Sequence, residues 1–119
     1  MTVQRSGMFL LLLPLTIMAD YQSGLDAYDS GDYATALHDW KAVVTPTHPA
    51  IFAETHYAIG MLYWTGQGVT KDYFEASKWM HQGAHLNHAG AQAKLGYLYT
   101  EGIAVKQDYQ QAFEWFSKA

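Results

Sequence analysis

From Ala53 to Trp64 the apolar residues Ala53, Tyr57, Ile59, Gly60, Leu62 and Tyr63 recur three or four positions apart, a spacing that gathers side chains along one side of an α-helix. Gly66-Gln67-Gly68-Val69 then breaks the pattern, and glycine readily takes the left-handed conformation that ends many helices. Asp72 stands where an N-cap is needed, its carboxylate able to accept from free backbone N–H groups. Tyr73, Ala76, Trp79, Met80 and Gly83 resume the helical spacing, with small Ala76 beside bulky Trp79 as close helix packing requires. The stretch predicts a helix, a glycine loop and a second helix.

The pattern returns after a shift of 36 residues, the separation of Ala53 from Ala89. Ala53, Gly60, Leu62, Tyr63, Gly66, Val69, Asp72, Tyr73, Ala76 and Trp79 find identical partners in Ala89, Gly96, Leu98, Tyr99, Gly102, Val105, Asp108, Tyr109, Ala112 and Trp115. Composition alone would yield about two such identities. The chain therefore contains a true internal repeat, the mark of a solenoid in which each unit buries its apolar face against the next. Residues 20–45 read as a divergent first unit, a plain two-helix hairpin in which Gly31-Asp32-Tyr33 precedes Ala36. Pro46 and Pro49 separate it from a second unit at 50–86, with a helix start expected near Pro49. The third unit, 87–119, follows the boundary at Asn87-His88 and is expected to be incomplete. The fold class is all-α, an α/α solenoid of two and a half to three helix-turn-helix units.

The motif Leu-Gly-x-x-Tyr-x-x-Gly-x-x-Val-x-x-Asp-Tyr-x-x-Ala-x-x-Trp resembles the Sel-one-like repeat family, a relative of tetratricopeptide repeats. The second unit carries Gly60, Tyr63, Gly66, Gly68, Val69, Asp72, Tyr73, Ala76 and Trp79; the third departs at Ala104, where a loop glycine is expected. The resemblance implies a short right-handed superhelix, first helices lining a concave surface, and a role in binding or scaffolding other proteins. Many such relatives are exported bacterial proteins. Those that depend on paired cysteines are no guide, because this chain has none.

The amino terminus independently suggests export. Arg5 precedes the apolar run Met8–Met18, and Ala19 meets Asp20, giving the charged, apolar and small-residue parts of a signal peptide over residues 1–19. As a helix that run reaches about 18 Å, short of a hydrocarbon core of roughly 30 Å, so no membrane span is expected in the mature form. The destination is periplasmic or secreted.

Composition narrows the function. Seven basic residues against eleven acidic ones give a net charge of −4, without the basic stripe of nucleic-acid binders. The lack of cysteine excludes disulfides, thiolate catalysis and cysteine-based zinc sites. His81, His85 and His88 are weak metal candidates through an i, i+4 pair, but the glutamate of a zinc-protease helix is missing. Asp32, Asp72 and Asp108 occupy equivalent positions and are assigned to caps. Tyr63, Tyr99, Trp79 and Trp115 recur in the repeat and are assigned to the core. No catalytic residue and no cofactor is predicted.

The large residues that vary between copies on the first helices are His56, Met61, Trp64, Gln92, Lys94 and Tyr97, and these are the groove candidates for binding another protein or peptide segment. Two alternatives remain at this level: a small envelope hydrolase using the histidine cluster with a metal, and a structural protein that forms homo-oligomers through the exposed C-terminal end.

Overall fold

The computed structural model describes residues 15–44 and 49–119. Arg5, most of the apolar run and Pro46 lie outside the described residues. Among those described, six helices follow one another without a strand: α1 Leu15–Asp29, α2 Tyr33–Val43, α3 Pro49–Thr65, α4 Tyr73–His85, α5 Ala89–Glu101 and α6 Tyr109–Lys118. They pair as hairpins α1α2, α3α4 and α5α6, and the hairpins stack through α2 on α3 and α4 on α5. The α1 helix runs unbroken through the Ala19–Asp20 junction.

Local chemistry explains where the helices start. The carboxylate of Asp32 accepts from the Thr35 N–H at 3.2 Å, that of Asp72 from Glu75 at 3.0 Å, and that of Asp108 from Gln110 and Gln111, each at 3.1 Å. Each side chain satisfies a donor that the helix itself leaves orphaned, stabilising by about 1 kcal/mol. At α5 the cap is His88, whose Nδ1 accepts from the Ala91 N–H at 3.1 Å.

The loops of the second and third hairpins share the same backbone bonds. The N–H groups of Gly66 and Gln67 both donate to the Leu62 carbonyl, as those of Gly102 and Ile103 do to Leu98. Asp72 N–H then closes the loop onto Tyr63 O at 2.9 Å, and Asp108 N–H onto Tyr99 O at 3.0 Å. Both loops need two left-handed residues. These are Gly66 and Gly68 in the second unit, Gly102 and Ala104 in the third, where Ala104 holds φ 62° in spite of its Cβ.

The core has two parts. Tyr21 and Leu25 of α1, Leu37 and Trp40 of α2, and Ile59 and Leu62 of α3 form one. Met80 and Ala84 of α4, Ala91, Leu95 and Leu98 of α5, and Trp115 of α6 form the other. Two repeat glycines admit a large side chain from the paired helix: a Cβ on Gly60 would lie 2.9 Å from Met80 Cε, and one on Gly96 would lie 2.9 Å from the Phe116 ring. The assignment of recurring aromatics to the core is corrected in part. Tyr63 and Trp115 are buried, whereas Trp79 and Tyr99 are half-buried against the edges of the two cores; on α4 it is Met80, not Trp79, that turns fully inward.

Candidate functional site

Of the six groove candidates, four reach the surface where α3 meets α5. On α3, Tyr57, Met61 and Trp64 stand at i, i+4 and i+7, all half-buried and packed at the edge of the second core. Facing them on α5 are Gly90, Lys94 and Tyr97. Gly90 is small where the Tyr57 ring passes, and a Cβ there would lie 3.0 Å from the ring. Trp64 sits at the centre of the seam. Its ring makes an edge contact with Tyr73 at 5.3 Å between centroids and a tilted contact with Tyr97 at 5.8 Å. Lys94 Nζ lies 4.7 Å from the Trp64 centroid, and Lys71 Nζ lies 4.9 Å from that of Tyr73. Tyr97 remains 44% exposed at the outer edge.

This arrangement leaves Tyr97 and Lys71 exposed and Trp64, Tyr73 and Lys94 half-buried, with Trp64 packed at the edge of the core. Aromatic side chains already fixed by neighbours lose little entropy when a partner covers them, and they bring large area with a polar handle.

His56 and Gln92 require correction as groove candidates: they are 4% and 3% exposed, respectively. They occupy equivalent repeat positions, and each ties its helix to α4. His56 Nε2 pairs with Gln82 Oε1 at 2.9 Å, and Gln92 Nε2 donates to the Ala84 carbonyl at 3.1 Å. They differ between copies because one meets a side chain and the other a backbone carbonyl. Sequence reasoning missed Tyr57, Lys71 and Tyr73 as seam residues. The only signal was that Tyr57, Met61 and Trp64 share one stripe on α3.

The three histidines do not converge. His81 Nδ1 donates to the Ser77 carbonyl at 2.8 Å and His85 Nδ1 to the His81 carbonyl at 2.7 Å, leaving rings 6.5 Å apart. Two nitrogens sharing one metal must each approach it to about 2.0–2.1 Å, which rings at that separation do not allow without rotation. His88 faces elsewhere: its ring stacks on Tyr57 at 4.5 Å, and its Nε2 donates to Glu54 Oε1 at 3.0 Å. That hydrogen bond holds the Glu54 carboxyl below its usual range, against the opposing effect of burial. Among the described residues no three His, Asp or Glu side chains form a metal-holding group, and no helix is long and apolar enough to cross a membrane.

Comparison with known proteins agrees with this architecture. The family model described as Sel1 repeat matches residues 53–88 and 89–119. The crystal structure of a Sel1 repeat protein from Oxalobacter formigenes superposes with a TM-score of 0.70 at 28% identity, over 84% of this chain and 38% of that one. The crystal structure of c5321, a protective antigen of uropathogenic Escherichia coli with an SLR fold, gives 0.75 at 30% identity, over 86% of this chain and 22% of that one. The chain thus spans well under half the length of either. A comparison with curated proteins finds no match. Repeats of this type generally mediate protein–protein interaction. With two tandem copies of the motif, each built on the same caps, glycine loop and interhelical glycine, the chain belongs to the Sel1 repeat family.

Proposed function

We propose that this chain is an exported, non-catalytic binding module of the cell envelope that holds a protein or peptide segment against the α3–α5 seam. The observation that carries the reading is half-buried Trp64, which touches Tyr73, Tyr97 and Lys94 together, with Tyr97 exposed at the outer edge. Such a cluster has the composition of a binding hot spot: a rigid tryptophan partly sheltered by neighbours, an exposed tyrosine and a cation. Export is supported by Arg5, the apolar run and the Ala19–Asp20 junction. Cleavage there would shorten α1 but keep its buried residues Tyr21 and Leu25 on the mature chain.

Site-specific photo-crosslinking in the native host tests the surface. A photoreactive residue at Tyr97 should yield one dominant adduct, whereas the same residue at Lys78, on α4 and outside the seam, should not. Equal adducts from both positions would refute the assignment.

A further inference from the structure

Among the described residues four helices begin on a side-chain cap, and three of the caps are the carboxylates of Asp32, Asp72 and Asp108. The fourth is an imidazole. The Ala91 N–H in the first turn of α5 donates to His88 Nδ1 at 3.1 Å, and a backbone N–H can only donate, so Nδ1 carries a lone pair and no proton. The neutral ring therefore has its proton on Nε2, where Glu54 Oε1 accepts it at 3.0 Å. One tautomer satisfies both partners.

The position joins the second unit to the third. Asn87 before it takes φ 68°, the His88 N–H donates back to the Gly83 carbonyl of α4 at 3.0 Å, and the ring stacks on Tyr57 of α3 at 4.5 Å between centroids. A Cβ at Gly90 would lie 3.0 Å from His88 Cε1, so the ring fits closely between Tyr57 and the start of α5, with its side chain 18% exposed. Turning the ring would break the stack and both hydrogen bonds.

Protonation acts unequally on the two bonds. The imidazolium keeps Nε2–H on Glu54, whose negative charge favours the cation, but it places a second proton on Nδ1 that faces the Ala91 N–H, donor to donor. The cap is then lost, and a positive charge stands at a helix N-terminus, where the aligned peptide dipoles oppose it. From α3, Glu54 is the charged group and Tyr57 the titratable one that face the ring; α4 meets the residue through the uncharged Gly83 carbonyl, and α5 through the Ala91 N–H. Imidazole is the side chain whose charge ordinarily changes between about pH 5 and 8, a window in which carboxylates ordinarily do not titrate.

We infer that His88 is a proton-sensitive latch at the joint between the second and third units. Neutral, it caps α5 and stacks on α3; protonated, it keeps Glu54 and releases the first turn of α5. Tyr57 begins the α3 stripe, so the release occurs at one end of the α3–α5 seam. Regulation of binding there rests on the reading of the seam as a binding surface, whereas the latch itself does not.

Nuclear magnetic resonance of the chain from about pH 8 to about pH 5 tests the latch without a partner. At about pH 8 the ring nitrogens of His88 should show Nδ1 bare and Nε2 protonated. As they register protonation, the Ala91 amide should lose protection by about fivefold, after correction for the intrinsic pH dependence of exchange, the effect of one lost cap. The Gln111 amide, on its Asp108 cap, should hold its protection over the same range. His88→Asn, which supplies a cap that does not titrate, should keep Ala91 protected throughout. A proton on Nδ1 at about pH 8, an Ala91 amide indifferent to the protonation of His88, or an equal loss in His88→Asn would each overturn the inference. None of these readouts depends on Trp64 or Tyr97, so the latch and the seam can fail separately.

Discussion

The ammonium of Lys94 lies 4.7 Å from the centroid of the Trp64 ring and so links α5 to α3 at the surface. Cation–π contacts at accessible sites are worth about 0.5–1 kcal/mol. Lys94→Gln should therefore lower stability by no more than that in urea denaturation, while changing the affinity for a partner laid over Trp64. A loss above about 2 kcal/mol would make Lys94 a structural residue and not part of a binding surface.

Met80 and Trp79 are neighbours with different roles. Met80 is fully buried between Gly60 and the second core, whereas Trp79 is half-buried against His56. Met80→Ala should cost about 2–5 kcal/mol, a large part of the stability of a domain this size. Trp79→Ala should cost less than a fully buried tryptophan does, and paired denaturation curves for the two variants give the order directly.

Ala104 occupies a left-handed position that its counterpart Gly68 fills without strain. A Cβ in that region costs about 1–2 kcal/mol, partly offset by the greater freedom of glycine in the unfolded chain. Ala104→Gly should raise stability by up to about 1 kcal/mol, seen as a higher urea midpoint at unchanged slope. Ala104→Val should lower it.

The His88–Glu54 hydrogen bond predicts a pH dependence. Because the folded-state pKa of Glu54 is lowered, its contribution is present above the unfolded value of about 4.3 and is lost as pH falls through the folded value. The stability gap between the parent and Glu54→Gln should be larger at neutral pH than at about pH 3. Solvent exposure of Glu54 keeps the effect at or below about 1 kcal/mol. A gap that widens on acidification would contradict the assignment.

The fold was legible because its signals are local and occur twice. Asp72 and Asp108 cap, Gly66 and Gly102 turn, and the first unit keeps its cap at Asp32 although its glycine loop is gone. Side-chain direction was harder to read. One residue along a helix is a rotation of about 100°, so spacing alone could not decide whether Trp79 or Met80 points fully inward. Variation between copies was read as surface freedom, and Met61, Trp64, Lys94 and Tyr97 do lie half-buried or exposed where α3 meets α5. At His56 and Gln92 the same variation instead reflects two different buried partners on α4. The His88 cap escaped notice because histidine is not among the residues usually expected to cap a helix.

The central claim, binding at the α3–α5 seam, is tested most directly by quantitative capture from the envelope fraction of the native host. The parent chain is compared with a Trp64→Ala, Tyr97→Ala variant shown by circular dichroism to be folded. The account predicts one partner retained by the parent and weakened at least about 30-fold by the variant, the loss of about 2 kcal/mol expected of a hot spot. Equal retention by both would contradict it.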